Sequence, residues 1–183
     1  MEMHYIREIS KALAEKHAAV MVGAGFSRNA DKVGNTENEF LTWNRMSDVF
    51  YERLYESKEE PGKEYNSSLR LAQEVEIAIG RPTLEAMIRK AVPDQDYVPS
   101  DLHSSLMQLP WNDVFTTNYD TLLERAAEFV VNRRYNVVTC QEDLVNSNDA
   151  PRIIKLHGYN PPFCERHQWG YETHLWLSLF KFS

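Results

Sequence analysis

The sequence predicts an α/β fold on a mainly parallel sheet, with a helical insertion in its middle third and a C-terminally incomplete end. Three observations carry that expectation. Short apolar or β-branched runs at residues 18–22, 113–116, 135–139 and 152–156 read as strands. Helical spacing returns between the second and third of them, so that strand, helix and strand recur. The stretch from about residue 42 to residue 109 shows helical periodicity alone.

The elements follow in order. Ile6, Ile9 and Leu13 stand among charges at helical steps and predict an amphipathic helix over residues 4–17. Ala18 to Val22 is a continuous small and β-branched run stopped by Gly23, the pattern of a strand buried on both faces. Residues 28–41 are polar and aperiodic and read as a loop, after which Met46, Phe50 and Leu54 mark a helix from Trp43 to Tyr55. Pro61 and Gly62 break it. Two helices at 66–79 and 83–91 are split by Gly80 to Pro82, and another at 100–109 ends before Pro110. A helix beginning near Asp120 puts Leu122, Leu123, Ala126, Ala127 and Val130 on one stripe, with Thr121 and Glu124 spaced as a capping box. Residues 141–151 read as a polar loop.

Composition narrows the function classes. The 183 residues suit one domain, and 43% hydrophobic with 26% charged residues excludes disordered and collagenous chains. Acidic residues outnumber basic ones, 27 to 20, for a formal charge of -7 without a local basic patch, which opposes nucleic acid and anionic membranes as partners. The N-terminus has neither a signal-peptide core nor a membrane-length apolar run, and Cys140 and Cys164 are too few for a disulfide framework. A reducing cytoplasm is the expected compartment.

Three motifs could carry chemistry. Gly23-Ala24-Gly25-Phe26-Ser27 follows the first strand, where two glycines allow a sharp turn and close approach to a phosphate, as in Rossmann-like sheets. Arg28 stands where the third glycine of the dinucleotide fingerprint would be, so a plain tight turn stays open as the other reading. Thr116-Thr117-Asn118-Tyr119-Asp120 joins a strand end to a helix start, where Asn118 can hold a ribose hydroxyl or a water and Asp120 can orient its neighbours; an Asx helix cap is the alternative. Lys155-Leu156-His157-Gly158 ends the last strand, and His157 can take a proton near neutral pH or serve as a hydrogen-bonded structural residue. Motifs after three different strands suit one shared crevice.

The ordered set GAGFS, TTNYD and KLHG, with Leu109-Pro110-Trp111 leading into the second, resembles the sirtuin-like NAD-hydrolysing domains of bacterial anti-phage defence proteins over roughly residues 18–160. The resemblance implies NAD as substrate, cleaved to nicotinamide and ADP-ribose. It implies that Gly23, Ala24, Gly25 and Ser27 cradle the phosphates, that Asn118 contacts the nicotinamide ribose and positions the attacking water, and that His157 is the base. Thr117 and Asp120 join the nucleotide-binding set. It further implies a homo-oligomer or a fused or associated effector module.

The wider sirtuin family's deacylases carry two cysteine pairs for zinc and a Gly-Ile-Pro-Asp-Phe-Arg-like run after the first loop, whereas this chain has two cysteines in all and reads Arg28-Asn29-Ala30-Asp31. No zinc is therefore expected, and hydrolysis is favoured over deacylation. Cys164, His167 and His174 are too loosely spaced for a metal site. After Gly158 only 25 residues remain, ending in an aromatic tail with Trp169, Trp176, Phe180 and Phe182, so truncation is one expectation and a partner-docking segment another. A truncated pocket would make the chain a non-catalytic NAD or ADP-ribose binding module.

Overall fold

The strand order follows from how the apolar runs pair. In the computed structural model, which describes residues 2–55, 68–147 and 151–156, the chain begins with helix α1 (Glu2–Ala14) and strand β1 (Ala19–Val22). One turn of helix α2 (Ala24–Ser27) and a two-residue strand β2 (Asp31–Lys32) come next. Helices α3 (Trp43–Tyr55), α4 (Ser68–Ile79) and α5 (Arg81–Ala91) follow, then strand β3 (Tyr97–Val98) and helix α6 (Asp101–Gln108). The last elements are β4 (Asp113–Thr116), α7 (Leu122–Ala127), β5 (Asn136–Val138), α8 (Gln141–Asn146) and β6 (Arg152–Lys155).

Strands β1, β4, β6 and β5 form a parallel sheet in that spatial order, giving a Rossmann-like α/β fold. Val114 and Ile153 on the two central strands are fully buried and join Val22, Met107, Leu123 and Ala126 in the core. Each large aliphatic side chain buried in this way stabilises the fold by about 1.5–3 kcal/mol. Helix α6 packs on α7 and supplies Met107, so it belongs with the sheet.

Two compact units result: residues up to Val33 with those from Tyr97 onward, and Gly34–Asp96. The second is helical, with Met46, Phe50, Tyr51, Leu71, Val75 and Ala91 buried among α3, α4 and α5. Gly80, at a φ of 99°, makes the break between α4 and α5 in the left-handed region that favours glycine. Val33 and Tyr97 bound the segment, and β2 pairs antiparallel with β3 at these ends, Asp31 opposite Val98 and Lys32 opposite Tyr97.

Several details differ from expectation. Strand β1 is not buried on both faces: it lies at the edge of the described sheet, with Ala19 and Met21 exposed and Val22 buried. The polar stretch after Cys140 forms helix α8, because Asp143 Oδ2 accepts hydrogen bonds from the Thr139 backbone N–H and hydroxyl and ties the turn together. The capping box at Thr121 and Glu124 does not form. The Thr121 side chain makes no cap bond; Asp120 Oδ1 accepts from Leu122 N at 3.2 Å instead. Helix α7 stops at Ala127, so Val130 packs on the core from beyond its end.

Candidate functional site

Parallel pairing determines where the motifs arrive. Val22 registers with Thr116, and Thr116 with Lys155, so β1, β4 and β6 end side by side and their following segments share one edge of the sheet. Open α/β sheets place ligands at this carboxyl edge. Residues 91 and 95 positions apart in sequence meet there: Asn118 Nδ2 donates to Ser27 Oγ at 2.8 Å and to the Gly23 carbonyl at 3.2 Å. Ser27 Oγ in turn lies 2.6 Å from Asp120 Oδ2.

The chemistry of these groups leaves one proton arrangement. An ionised Asp120 can only accept, so the Ser27 hydroxyl must donate to it. Ser27 Oγ therefore accepts from Asn118, which identifies the Asn118 atom facing it as the amide nitrogen. Both Nδ2 protons have acceptors, and Oδ1 is buried with no hydrogen bond to any described residue. The Asn118 backbone is held as well, its N–H donating to Thr116 Oγ1 at 3.0 Å. Asn118 is 5% exposed, and the edge presents a preoriented amide with an acceptor to spare.

The glycines are explained differently than expected. Gly23 has a φ of -105° and ψ of 173°, ordinary extended backbone, and Gly25 lies within α2 without a positive φ. No sharp turn demands glycine at either position. A Cβ built on either glycine meets no atom within 4 Å, so what their smallness provides is open space over the exposed backbone. Asp120 is 4% exposed, and both of its carboxylate oxygens bind within the protein, to Ser27 and to Leu122 N. It orients the site from beneath. Ser27, 2% exposed, is likewise engaged on both sides, whereas Ala24 and Thr117 are half-buried. His157 lies outside the described residues, as do Cys164, His167, His174 and the aromatic tail.

Three further polar groups beside this edge have partners that the sequence does not announce. Lys155 has a fully buried side chain; its Nζ donates to the Asp120 carbonyl at 2.5 Å and to Glu124 Oε1 at 2.6 Å. Burial pushes the Glu124 carboxyl up, and the Lys155 ammonium pulls it part of the way back. His103 is 1% exposed, its ring centroid 4.7 Å from that of Phe26 in the glycine loop. Its Nδ1 accepts from the Ser100 N–H, which puts the proton of a neutral ring on Nε2. Burial lowers its pKa, with Asp120 and Asp31 opposing and Arg125 reinforcing the shift. The Ser-x-x-His spacing at Ser100 and His103 was the available signal, since it forms a capping box in the structure. Nothing local in Lys155-Leu156 announces a buried ion pair.

Among the described residues no group of three or more His, Cys, Asp or Glu is placed to hold a metal ion, and no helix is long and apolar enough to cross a membrane.

No protein-family model matches the chain. It is similar to Defense-associated sirtuin 2 of Bacillus subtilis, at 24% identity over 153 residues. That match covers 84% of this chain, and the chain spans 14% of the length of that relative. The resemblance to sirtuin-like defence domains drawn from the three motifs agrees with this match.

Proposed function

From that resemblance and the geometry of the sheet edge, we propose that the chain is an NAD hydrolase domain acting in anti-phage defence, which cleaves NAD to nicotinamide and ADP-ribose. The observation that carries the reading is the Asn118 amide: both of its protons are used by Gly23 and Ser27, and its buried Oδ1 remains as an acceptor. Nicotinamide leaves as a neutral ring from a cationic centre, so the reaction asks the protein to orient the ribose, tolerate an oxocarbenium-like transition state and aim a water. A carbonyl-type oxygen held in one orientation suits a water or ribose hydroxyl as donor. Gly23, Ala24 and Gly25 offer backbone that phosphates can approach, while Ser27 and Asp120 keep Asn118 in place and Thr117 borders the ribose. His157 takes a proton from the attacking water. No step calls for zinc.

The experiment is chromatographic quantification of nicotinamide and ADP-ribose after incubation of the purified chain with NAD, beside Asn118→Ala and His157→Ala. Release by the wild type and loss in both variants is the expected result. NAD binding without release from folded wild type would overturn the hydrolase reading in favour of a nucleotide-binding module. Nicotinamide release that depends on an acetylated peptide would overturn it in favour of a deacylase.

A further inference from the structure

We propose that Lys155 and Glu124 are a positioning pair that sets the orientation of Asn118 from behind the site; the inference rests on the NAD hydrolase reading and deepens it. Lys155 ends β6 and Glu124 lies in the first turn of α7, while the loop between β4 and α7 carries Asn118 and Asp120. The ammonium reaches both the loop and the helix at once. It donates to the Asp120 backbone carbonyl at 2.5 Å and to Glu124 Oε1 at 2.6 Å, from a side chain with no exposed surface. Holding the Asp120 carbonyl determines how the rest of Asp120 stands. Its carboxylate then meets Ser27 at 2.6 Å, and Ser27 meets Asn118 at 2.8 Å. Lys155, Asp120, Ser27 and Asn118 thus form one continuous chain, from a charge buried among strand ends to the amide that faces substrate.

A buried ion pair is a poor choice for stability alone, because desolvating two charges offsets most of their attraction and an apolar pair of equal volume would do as well. Here the ammonium supplies what an apolar residue cannot, a donor for a loop carbonyl. Glu124 Oε1 accepts from that donor and keeps it aimed. Neither residue touches substrate in this arrangement, so the pair acts through Asp120.

The test combines steady-state kinetics with the side-chain amide resonances of Asn118 in the full chain, assigned by their loss in Asn118→Ala. For folded Lys155→Met, kcat is expected to fall about 10- to 100-fold, the scale set by small misplacements of a reacting group. KM is expected to change by less than about threefold, since ground-state binding is untouched. The Asn118 amide resonances should shift in Lys155→Met and return toward wild type in Lys155→Arg, which keeps a donor. Wild-type kcat and unmoved Asn118 resonances in folded Lys155→Met would overturn the proposal. If Lys155→Met does not fold, Glu124→Gln and Lys155→Arg carry the same two readouts. If the wild type releases no nicotinamide, the hydrolase reading fails by itself. The amide resonances then still decide whether the pair positions Asn118.

Discussion

The two compact units bury different kinds of residue. In the helical unit, the described buried residues are apolar or aromatic, among them Met46, Phe50, Tyr51, Leu71 and Val75. The buried polar and charged residues of the described chain, Ser27, His103, Thr116, Asn118, Asp120, Thr121, Ser147 and Lys155, all fall in the sheet unit. Most of them stand at or beside the carboxyl ends of β1, β4 and β6. Burying a polar group costs free energy unless it is hydrogen-bonded, so a concentration of such groups at one edge marks a region organised for something other than stability. The helical unit is packed for stability; the sheet unit carries the candidate site.

That contrast can be broken by substitution. The largest expected effect is on the apolar side: Phe50, 1% exposed, should cost about 3–5 kcal/mol of stability when changed to Ala, read by denaturant unfolding. NAD cleavage per folded molecule should stay near wild type, and its loss would show that the units do not divide the labour in this way. Asn118→Ala should leave the unfolding midpoint within a few degrees, yet lower nicotinamide release by about 100-fold or more, the usual loss when a preoriented polar group is removed from a reacting centre.

A finer cut is Asp120→Asn. The carboxylate makes the direction of the Ser27 hydrogen bond unambiguous, whereas an amide can present a donor to Ser27 and let the Asn118 amide turn over. The expected loss of stability is about 1–3 kcal/mol, from weakening a charge-assisted hydrogen bond. Alongside it kcat should fall more than KM changes, and equal kinetics in the variant would show that the proton order does not matter.

The smallest effect is a pH dependence in the sheet unit. Because burial holds the His103 pKa below its ordinary 6.5, the folded state binds its proton less readily than the unfolded state. The neutral ring's contribution to stability is therefore complete above that ordinary value and is lost as pH falls from it toward the folded pKa. The thermal midpoint should drop between about pH 7.5 and about pH 5.5, and less steeply in His103→Gln. Equal slopes in the two proteins would place the acid sensitivity elsewhere.

What was legible in the sequence was local. Continuous apolar runs at Val20–Val22 and Ile153–Ile154, helical spacing at Met46, Phe50 and Leu54, and the helix break at Gly80 depend on neighbours a few positions away, and each element formed where they stand. The three motifs could be named for the same reason, since each is a short run placed directly after a strand.

Partnership was not legible. Asn118 and Ser27 could be singled out one by one, but only parallel register brings them within 2.8 Å and assigns the amide orientation through Asp120. Glu124 has the spacing of a cap and acts instead as the counter-ion of Lys155, whose Nζ at the end of β6 lies 2.6 Å from its Oε1, while Thr121 makes no side-chain cap bond. His103 reads as one histidine on a helix, and its significance arises from Phe26 packing against it across the fold. Periodicity and turn chemistry are properties of adjacent residues and survive in the bare sequence. Hydrogen-bond order, burial of charge and the meeting of distant side chains are set by which strands pair, and that was decided only in the tertiary structure.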